Sequence, residues 1–160
     1  MKKYKSMKNI FKLMLLLVMA LPFQACQDDD DKGGTKLDVT PNNIAGVWKL
    51  QSWSGSDDFS AEIYLELIRK DKLFNLYEKG LGTMYPHVSN GTFTLSKDYH
   101  KGDIITIKYD VPTEVHKNNY IITALDSAKM VWVLDGTTDT SVYERVDEVP
   151  AEFLYSPSEN

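Results

Sequence analysis

The residue with the most distinctive chemistry is Cys26, the only cysteine among 160 residues. A thiol can act as a nucleophile, ligate a metal or be modified covalently. Ahead of it lie five lysines and no acidic residue, and then an apolar run of 11 residues from Leu13 to Phe23. A helix needs about 20 apolar residues to cross a bilayer. Residues 1–25 are therefore predicted to be a secretory signal that is removed, rather than a transmembrane anchor.

The four residues that end at the cysteine resemble a processing motif. Phe23-Gln24-Ala25-Cys26 resembles the lipobox of Gram-negative bacterial lipoproteins, whose cysteine is acylated and becomes the first residue of the mature chain. The acidic run at residues 28–31 resembles the export signal of lipoproteins on the outer face of the outer membrane. These resemblances imply a membrane partner through an acyl anchor on Cys26 and an outer-membrane location facing the cell exterior. An unmodified free thiol is the alternative.

Other side chains give little support for catalysis or metal binding. His87, His100 and His116 are 13 and 16 residues apart, which is not the close spacing of a metal site. The sequence has no Gly-x-Ser-x-Gly elbow and no phosphate-binding loop. We therefore predict no catalytic residue, no cofactor and no metal, and interpret the chain as a protein other than an enzyme.

The charge balance limits the partners. The chain has 18 basic and 23 acidic side chains, and removal of the five signal lysines leaves 13 basic side chains and a net charge of −10. A nucleic-acid partner is not expected, because such binders carry a basic face. Residues 26–43 contain only Leu37 and Val39 as large apolar residues, so we predict a lipidated cysteine followed by a flexible acidic tether. Residues 151–160 are assigned to a carboxyl-terminal tail.

Residues 44–150 are predicted to form one all-β domain. Apolar residues alternate with polar ones over short runs, most clearly at 61–68, and no helical spacing persists for three turns. Eight such runs are separated by turn residues, and one of the turns is assigned to Asn90-Gly91. The pattern favours an eight-stranded antiparallel up-and-down barrel, because closure removes the exposed sheet edges. A two-sheet sandwich is the alternative.

Two short motifs at the ends of this domain carry a family resemblance. Gly46-Val47-Trp48 opens the first strand and resembles the glycine-x-tryptophan signature of lipocalins and their calycin relatives, and Arg145 on the last strand resembles the arginine that closes the same barrel. The domain is similar to the bacterial lipocalin-like domains found behind lipoprotein signals. First and last strands are neighbours only in a closed barrel. We therefore predict a structural cation–π contact between Arg145 and Trp48.

The lipocalin resemblance implies a small apolar ligand inside the barrel, entering at the end opposite Trp48. An eight-stranded barrel either fills with side chains or holds one small ligand, so a packed core and a shallow cup both remain open. Trp53 is assigned to the strand face opposite Trp48 and Leu50, where an exposed indole could contact a sugar or a partner protein. The candidate ligand-binding residues are Trp53, Leu81, Met84, Tyr85, Tyr109, Tyr120 and Trp132.

Two function classes follow from these features. The first is a surface lipoprotein that binds a small apolar ligand or a glycan fragment. The second is a protein–protein interaction module, such as an inhibitor or an accessory subunit of a surface complex, with no internal ligand. An open apolar cup above the Trp48 layer would favour the first class, whereas a closed interior would exclude it.

Overall fold

The computed structural model describes residues 34–58, 60–80, 82–110 and 117–154, with the side chain of residue 117 left out. Within these ranges eight strands pair in chain order, each antiparallel to the next, and the last strand pairs with the first. The strands are β1 (Gly46–Trp53), β2 (Ala61–Ile68), β3 (Leu73–Gly80), β4 (His87–Asp98), β5 (Gly102–Tyr109), β6 (Lys117–Leu125), β7 (Lys129–Leu134) and β8 (Thr140–Val146). The predicted up-and-down barrel is confirmed, and the sandwich is excluded.

Alternation of side chains between two faces explains why these segments become strands. In β2, Leu65 and Leu67 are buried inside the barrel, while the intervening Glu66 lies outside and accepts a hydrogen bond from Asn75 on β3. The two strands stay in register over their full length, from the pair Ala61 and Gly80 to the residues beside the turn at 69–72. The hairpin predicted for this part of the sequence is present.

The dipeptide Asn90-Gly91 is not a turn, which corrects the sequence prediction. β4 runs straight through it, and Gly91 pairs with Phe74 on β3 and with Tyr109 on β5. A Cβ atom at position 91 would overlap the Lys108 carbonyl oxygen and the Phe74 ring. The glycine is therefore needed for close packing of adjacent strands rather than for reversal of the chain.

One end of the barrel is closed by an arginine packed over a tryptophan. The Arg145 guanidinium carbon lies 4.0 Å from the centre of the Trp48 ring, so the predicted cation–π contact is present. Its nitrogens donate hydrogen bonds to the carbonyl oxygens of Asn43 (2.6 Å), Ala45 (2.6 Å) and Ser127 (2.9 Å). Burial of the guanidinium lowers its pKa from the usual range. The group thus links β1, β8 and the β6–β7 turn.

The glycine of the Gly-x-Trp motif makes room for this arginine. Gly46 has a φ of +132°, a conformation that residues with a Cβ rarely adopt. A Cβ there would collide with the Arg145 Nη1 atom. Two residues later, the Trp48 indole nitrogen donates a 2.9 Å hydrogen bond to the Ile44 carbonyl oxygen, which fixes the ring under the guanidinium. The motif and the arginine are one packing unit.

The folded domain begins earlier than the predicted tether allows. Leu37 and Val39 pack against the barrel core, and the Leu37 amide donates a 2.8 Å hydrogen bond to the Leu125 carbonyl oxygen. Helix α1 (Pro41–Ile44) follows, with Ile44 fully buried. Two apolar side chains are enough to hold this segment against the barrel, because they pack on a core that the strands already form. Residues from Leu37 onward therefore belong to the domain and not to a tether.

The predicted carboxyl-terminal tail also contributes to the fold. Helix α2 (Ala151–Leu154) places Phe153, which is 1 % exposed, on the outer face of the sheet. Its ring meets Tyr64 edge-on with centroids 4.8 Å apart, beside Tyr77 and Val149. These four residues form a second apolar cluster outside the barrel. Residues 151–154 are thus part of the domain.

We predict that Arg145→Met lowers the free energy of unfolding by about 2–4 kcal/mol, because it removes a cation–π contact and leaves carbonyl oxygens without donors. Urea unfolding followed by tryptophan fluorescence measures the change. Arg69→Met is the matched control, since Arg69 is the other arginine of the chain and its side chain makes an exposed hydrogen bond to Asn42. The control should stay within about 0.5 kcal/mol of the wild type. Equal losses in the two variants would contradict the assignment.

Candidate functional site

The barrel interior holds a cavity of about 270 Å³ at the end opposite Arg145 and Trp48. The connections at this end join β1 to β2, β3 to β4, β5 to β6 and β7 to β8, whereas the connections with fewer residues lie at the closed end. The apolar wall is formed by aliphatic side chains from five strands: Leu50, Ile63, Leu65, Leu76, Ile107 and Leu134. The sequence was compatible with either a packed core or a shallow cup, and the structure has a cup.

Aromatic rings make up the rest of the wall and hold one another in place. Tyr120 stacks on Trp132 with centroids 4.6 Å apart, and Trp132 meets Tyr143 edge-on at 5.0 Å. Across the cavity, Phe74 meets Tyr109 edge-on at 5.1 Å. Such contacts restrict the ring orientations. The cavity surface is therefore preorganised.

Trp132 carries an unused hydrogen-bond donor. The residue is 4 % exposed, and its Nε1 atom is buried without an acceptor among the described residues. Buried polar groups in proteins nearly always have a partner, and an unpaired one costs about 1–3 kcal/mol. Because Trp132 lines the cavity, a ligand oxygen or nitrogen placed beside the indole could supply the missing acceptor.

Burial raises the pKa of three tyrosine hydroxyls in the lining. Desolvation raises the pKa of Tyr109 to about 12, with smaller contributions from Tyr120 and the charge of Glu78. Burial likewise raises the pKa of Tyr120 and, further, that of Tyr143, which also senses Tyr120, Tyr109 and Glu78. These hydroxyls share one electrostatic environment. They can donate and accept hydrogen bonds without carrying charge.

Two carboxylates and one hydroxyl complete the lining. Glu78, Asp139 and Ser141 contribute polar atoms, and Asp139 accepts a 3.2 Å hydrogen bond from the Ser54 hydroxyl. Among the described residues that line the cavity there is no lysine, arginine or histidine. The polar part of the site therefore combines neutral donors and acceptors with negative charge.

Trp53 reaches the cavity because of a β-bulge in β1, which corrects its predicted face. Leu50 pairs with Tyr143 on β8, but the register then shifts, so that Trp53 pairs with Ser141. A bulge inserts one residue and reverses the alternation beyond it. Trp53 consequently lies on the cavity side, like Leu50, while 55 % of its surface remains exposed at the mouth. Its predicted exposure is correct and its predicted face is wrong.

The seven sequence-predicted ligand residues divide into three groups. Four of them line the cavity: Trp53, Tyr109, Tyr120 and Trp132. Met84, which is 77 % exposed, and Tyr85 lie on the β3–β4 connection outside the lining. Leu81 and the predicted lipidation residue Cys26 lie outside the described residues. Sequence reasoning missed Tyr143 and Ser141, although their spacing from Arg145 in β8 indicates the same inward face.

The fold and the interior cavity can now be compared with known proteins. A family model described as a lipocalin-like domain matches residues 44–132. The chain belongs to this lipocalin-like domain family. The match begins at Ile44 and ends at Trp132 in β7, so β8 of this lipocalin-like domain, with Arg145, lies beyond the matched range. Comparison with curated proteins gives no match.

Two further properties concern metals and membranes. Across the ranges that the structure describes, no group of three or more His, Cys, Asp or Glu side chains is arranged to hold a metal ion. In the same ranges, no helix combines the length and the apolarity that crossing a membrane requires.

The raised pKa of the half-buried Tyr109 predicts a loss of stability at alkaline pH. In the folded state, the pKa of Tyr109 is raised from the ordinary 10 to about 12. Its contribution to the free energy of unfolding is therefore fully present below about pH 10 and is lost as the pH rises towards 12, because the unfolded chain then loses a proton that the folded chain keeps. Urea unfolding at a series of pH values measures this slope. Tyr109→Phe should make the slope shallower, whereas Tyr99→Phe, at an exposed position, should leave it unchanged. An unchanged slope in Tyr109→Phe would refute the assignment.

Proposed function

We propose that this protein is an outer-membrane surface lipoprotein whose lipocalin-like barrel binds a small, largely apolar ligand or a glycan fragment. The observation that carries the proposal is the cavity itself. It is walled by the strands, closed below by the layer of Trp48 and Arg145, and bounded at the opposite end by the partly exposed Trp53. A preformed apolar concavity with a few polar groups is the usual form of a small-molecule site.

The dimensions and chemistry of the cavity limit the ligand. A volume of about 270 Å³ lies just below the roughly 300–1,000 Å³ typical of sites for drug-sized ligands, which favours a small molecule or one end of a longer one. The walls of Tyr120, Trp132 and Tyr143 favour a flat body that can contact ring faces. Trp132 Nε1 favours a hydrogen-bond acceptor on that body. A sugar ring packed on Trp53 would satisfy the same requirements.

The membrane part of the proposal depends on the sequence before the barrel. Residues 1–25 have the charge and apolar pattern of a secretory signal, and Ala25-Cys26 ends a segment similar to a lipobox. In a protein exported to an oxidising compartment, a sole cysteine has no intramolecular disulfide partner. Acylation gives Cys26 a role that is consistent with its position.

A protein partner is the second candidate function. Met84 is 77 % exposed, and Val88 at the start of β4 is also exposed, so apolar side chains face solvent close to the cavity mouth. An interface formed by these residues requires no internal ligand. The two candidates differ in whether the cavity or the outer rim governs binding.

Binding of the neutral fluorophore N-phenyl-1-naphthylamine tests the cavity. We expect saturable binding to the wild type, and a loss of about tenfold or more in affinity for Ser141→Trp, because the indole would fill the lining position with volume that the ligand needs. Ser96→Trp is the matched control, since Ser96 is exposed on β4, and it should bind like the wild type. Absence of binding to the wild type, or unaltered binding by Ser141→Trp, would contradict the ligand proposal.

Metabolic labelling in a Gram-negative host tests the anchor. We expect a fatty-acid analogue to be incorporated into the wild type and not into Cys26→Ala, and only the wild type to fractionate with the outer membrane. Digestion of intact cells by an external protease should remove the wild-type protein if it faces the exterior. Label retained by Cys26→Ala would refute acylation at this residue, and resistance to protease in intact but not lysed cells would refute surface exposure.

A further inference from the structure

The charges in the cavity lining have one sign. Glu78 and Asp139 are the acidic residues of the lining, and no basic side chain lines the cavity among the described residues. The neighbouring Lys79 lies on the outside of the barrel, where its Nζ atom is 5.7 Å from the centre of the Phe153 ring. A concave surface lined by one sign of charge attracts ligands of the opposite sign.

Neither carboxylate is neutralised by an ion pair of the described residues. The salt bridges there join Lys49 with Glu62, Lys97 with Asp103 and Lys101 with Asp135. Among the described residues, the Asp139 carboxylate accepts a hydrogen bond from the Ser54 hydroxyl, and the Glu78 carboxylate forms no side-chain hydrogen bond. Their negative charge is therefore available to a ligand in the cavity.

The immediate cross-strand neighbours of Glu78 form no ion pair with it among the described residues. Its cross-strand partners are Ile63 on β2 and His87 on β4, and the exposed His87 ring shares a 3.2 Å hydrogen bond with the Ser89 hydroxyl. In contrast, the charge of Glu78 raises the pKa of both Tyr109 and Tyr143, after burial as the main cause. The field of this carboxylate extends across the cavity to those two hydroxyls.

The aromatic walls add a second attraction for the same kind of ligand. The ring faces of tyrosine and tryptophan attract cations, most strongly where water is excluded. The neutral hydroxyls of Tyr109, Tyr120 and Tyr143 can accept hydrogen bonds from an ammonium group. A carboxylate on the ligand would instead meet two like charges and no cation. Charge and ring electrostatics thus favour the same ligand class.

We propose that the cavity selects small organic cations, with an aromatic-sized apolar body carrying an amine or quaternary ammonium group, over neutral or anionic molecules of the same shape. This inference rests on the proposed ligand-binding function. The apolar body fills the space between Trp132 and the aliphatic wall, and the cationic group lies towards Glu78 and Asp139 at the mouth.

Three indoles of matched size test the selectivity by displacement of N-phenyl-1-naphthylamine. Tryptamine is cationic at neutral pH, tryptophol is neutral and indole-3-propionate is anionic. We expect tryptamine to bind about tenfold tighter than tryptophol and indole-3-propionate to bind most weakly, because cation–π and carboxylate contacts add to the shared indole burial. Added salt should weaken only the binding of tryptamine.

Charge-neutralising variants locate the origin of the preference. Glu78→Gln and Asp139→Asn should each reduce the preference for tryptamine over tryptophol, measured as the ratio of the two affinities. Glu62→Gln is the matched control, because Glu62 pairs with Lys49 on the barrel exterior and does not line the cavity. The control should keep the wild-type preference.

The outcomes separate this inference from the function on which it rests. Equal affinities for the three indoles, tightest binding of the anion, or a preference that survives both cavity substitutions would overturn cation selectivity while ligand binding stands. If neither the fluorophore nor any indole binds, the ligand-binding function itself fails and the inference falls with it. Tight, Glu78-dependent binding of tryptamine supports both.

Discussion

The Arg145 guanidinium is the contact on which closure of this barrel depends. It donates to the carbonyl oxygens of Asn43 and Ala45 before β1, to that of Ser127 between β6 and β7, and packs on Trp48 within β1. A planar fork with five donors can satisfy all these directions at once, which a single ammonium group cannot. One side chain therefore joins the first strand, the last strand and an intervening turn.

Closure at this end makes the two ends of the barrel unequal. Side chains such as Phe93, Ile105 and Met130 are fully buried in the same core cluster as Trp48 and fill the interior that the cavity does not occupy. Consecutive connections of an up-and-down barrel alternate between its ends, so the short turns gather at the closed end and the longer connections at the other. The cavity lies at the end away from Arg145, where side chains do not fill the interior.

Period-two alternation predicted all eight strands because a barrel strand has one buried and one exposed face throughout. The errors arise where a contact from elsewhere in the chain alters that rule. Gly91 was predicted to lie in a turn, but in the structure Lys108 and Phe74 leave no room for a Cβ at this position of β4. Alternation in β2 places Tyr64 on the outer face of the barrel, but Phe153 covers it there. None of these three neighbours can be identified from the local sequence pattern, since tertiary packing brings them into contact.

The candidate site was only partly predictable for a related reason. Inward aromatic residues such as Tyr109 and Trp132 follow from alternation, but the lining also contains Glu78, which is in phase with Phe74 and Leu76 on β3. A charge near the end of a strand ordinarily indicates that the strand is leaving the core. In a barrel with one open end, however, the last inward position still faces the interior. We interpret a charged residue there as a determinant of ligand charge, because Glu78 lines the cavity and forms no ion pair among the described residues.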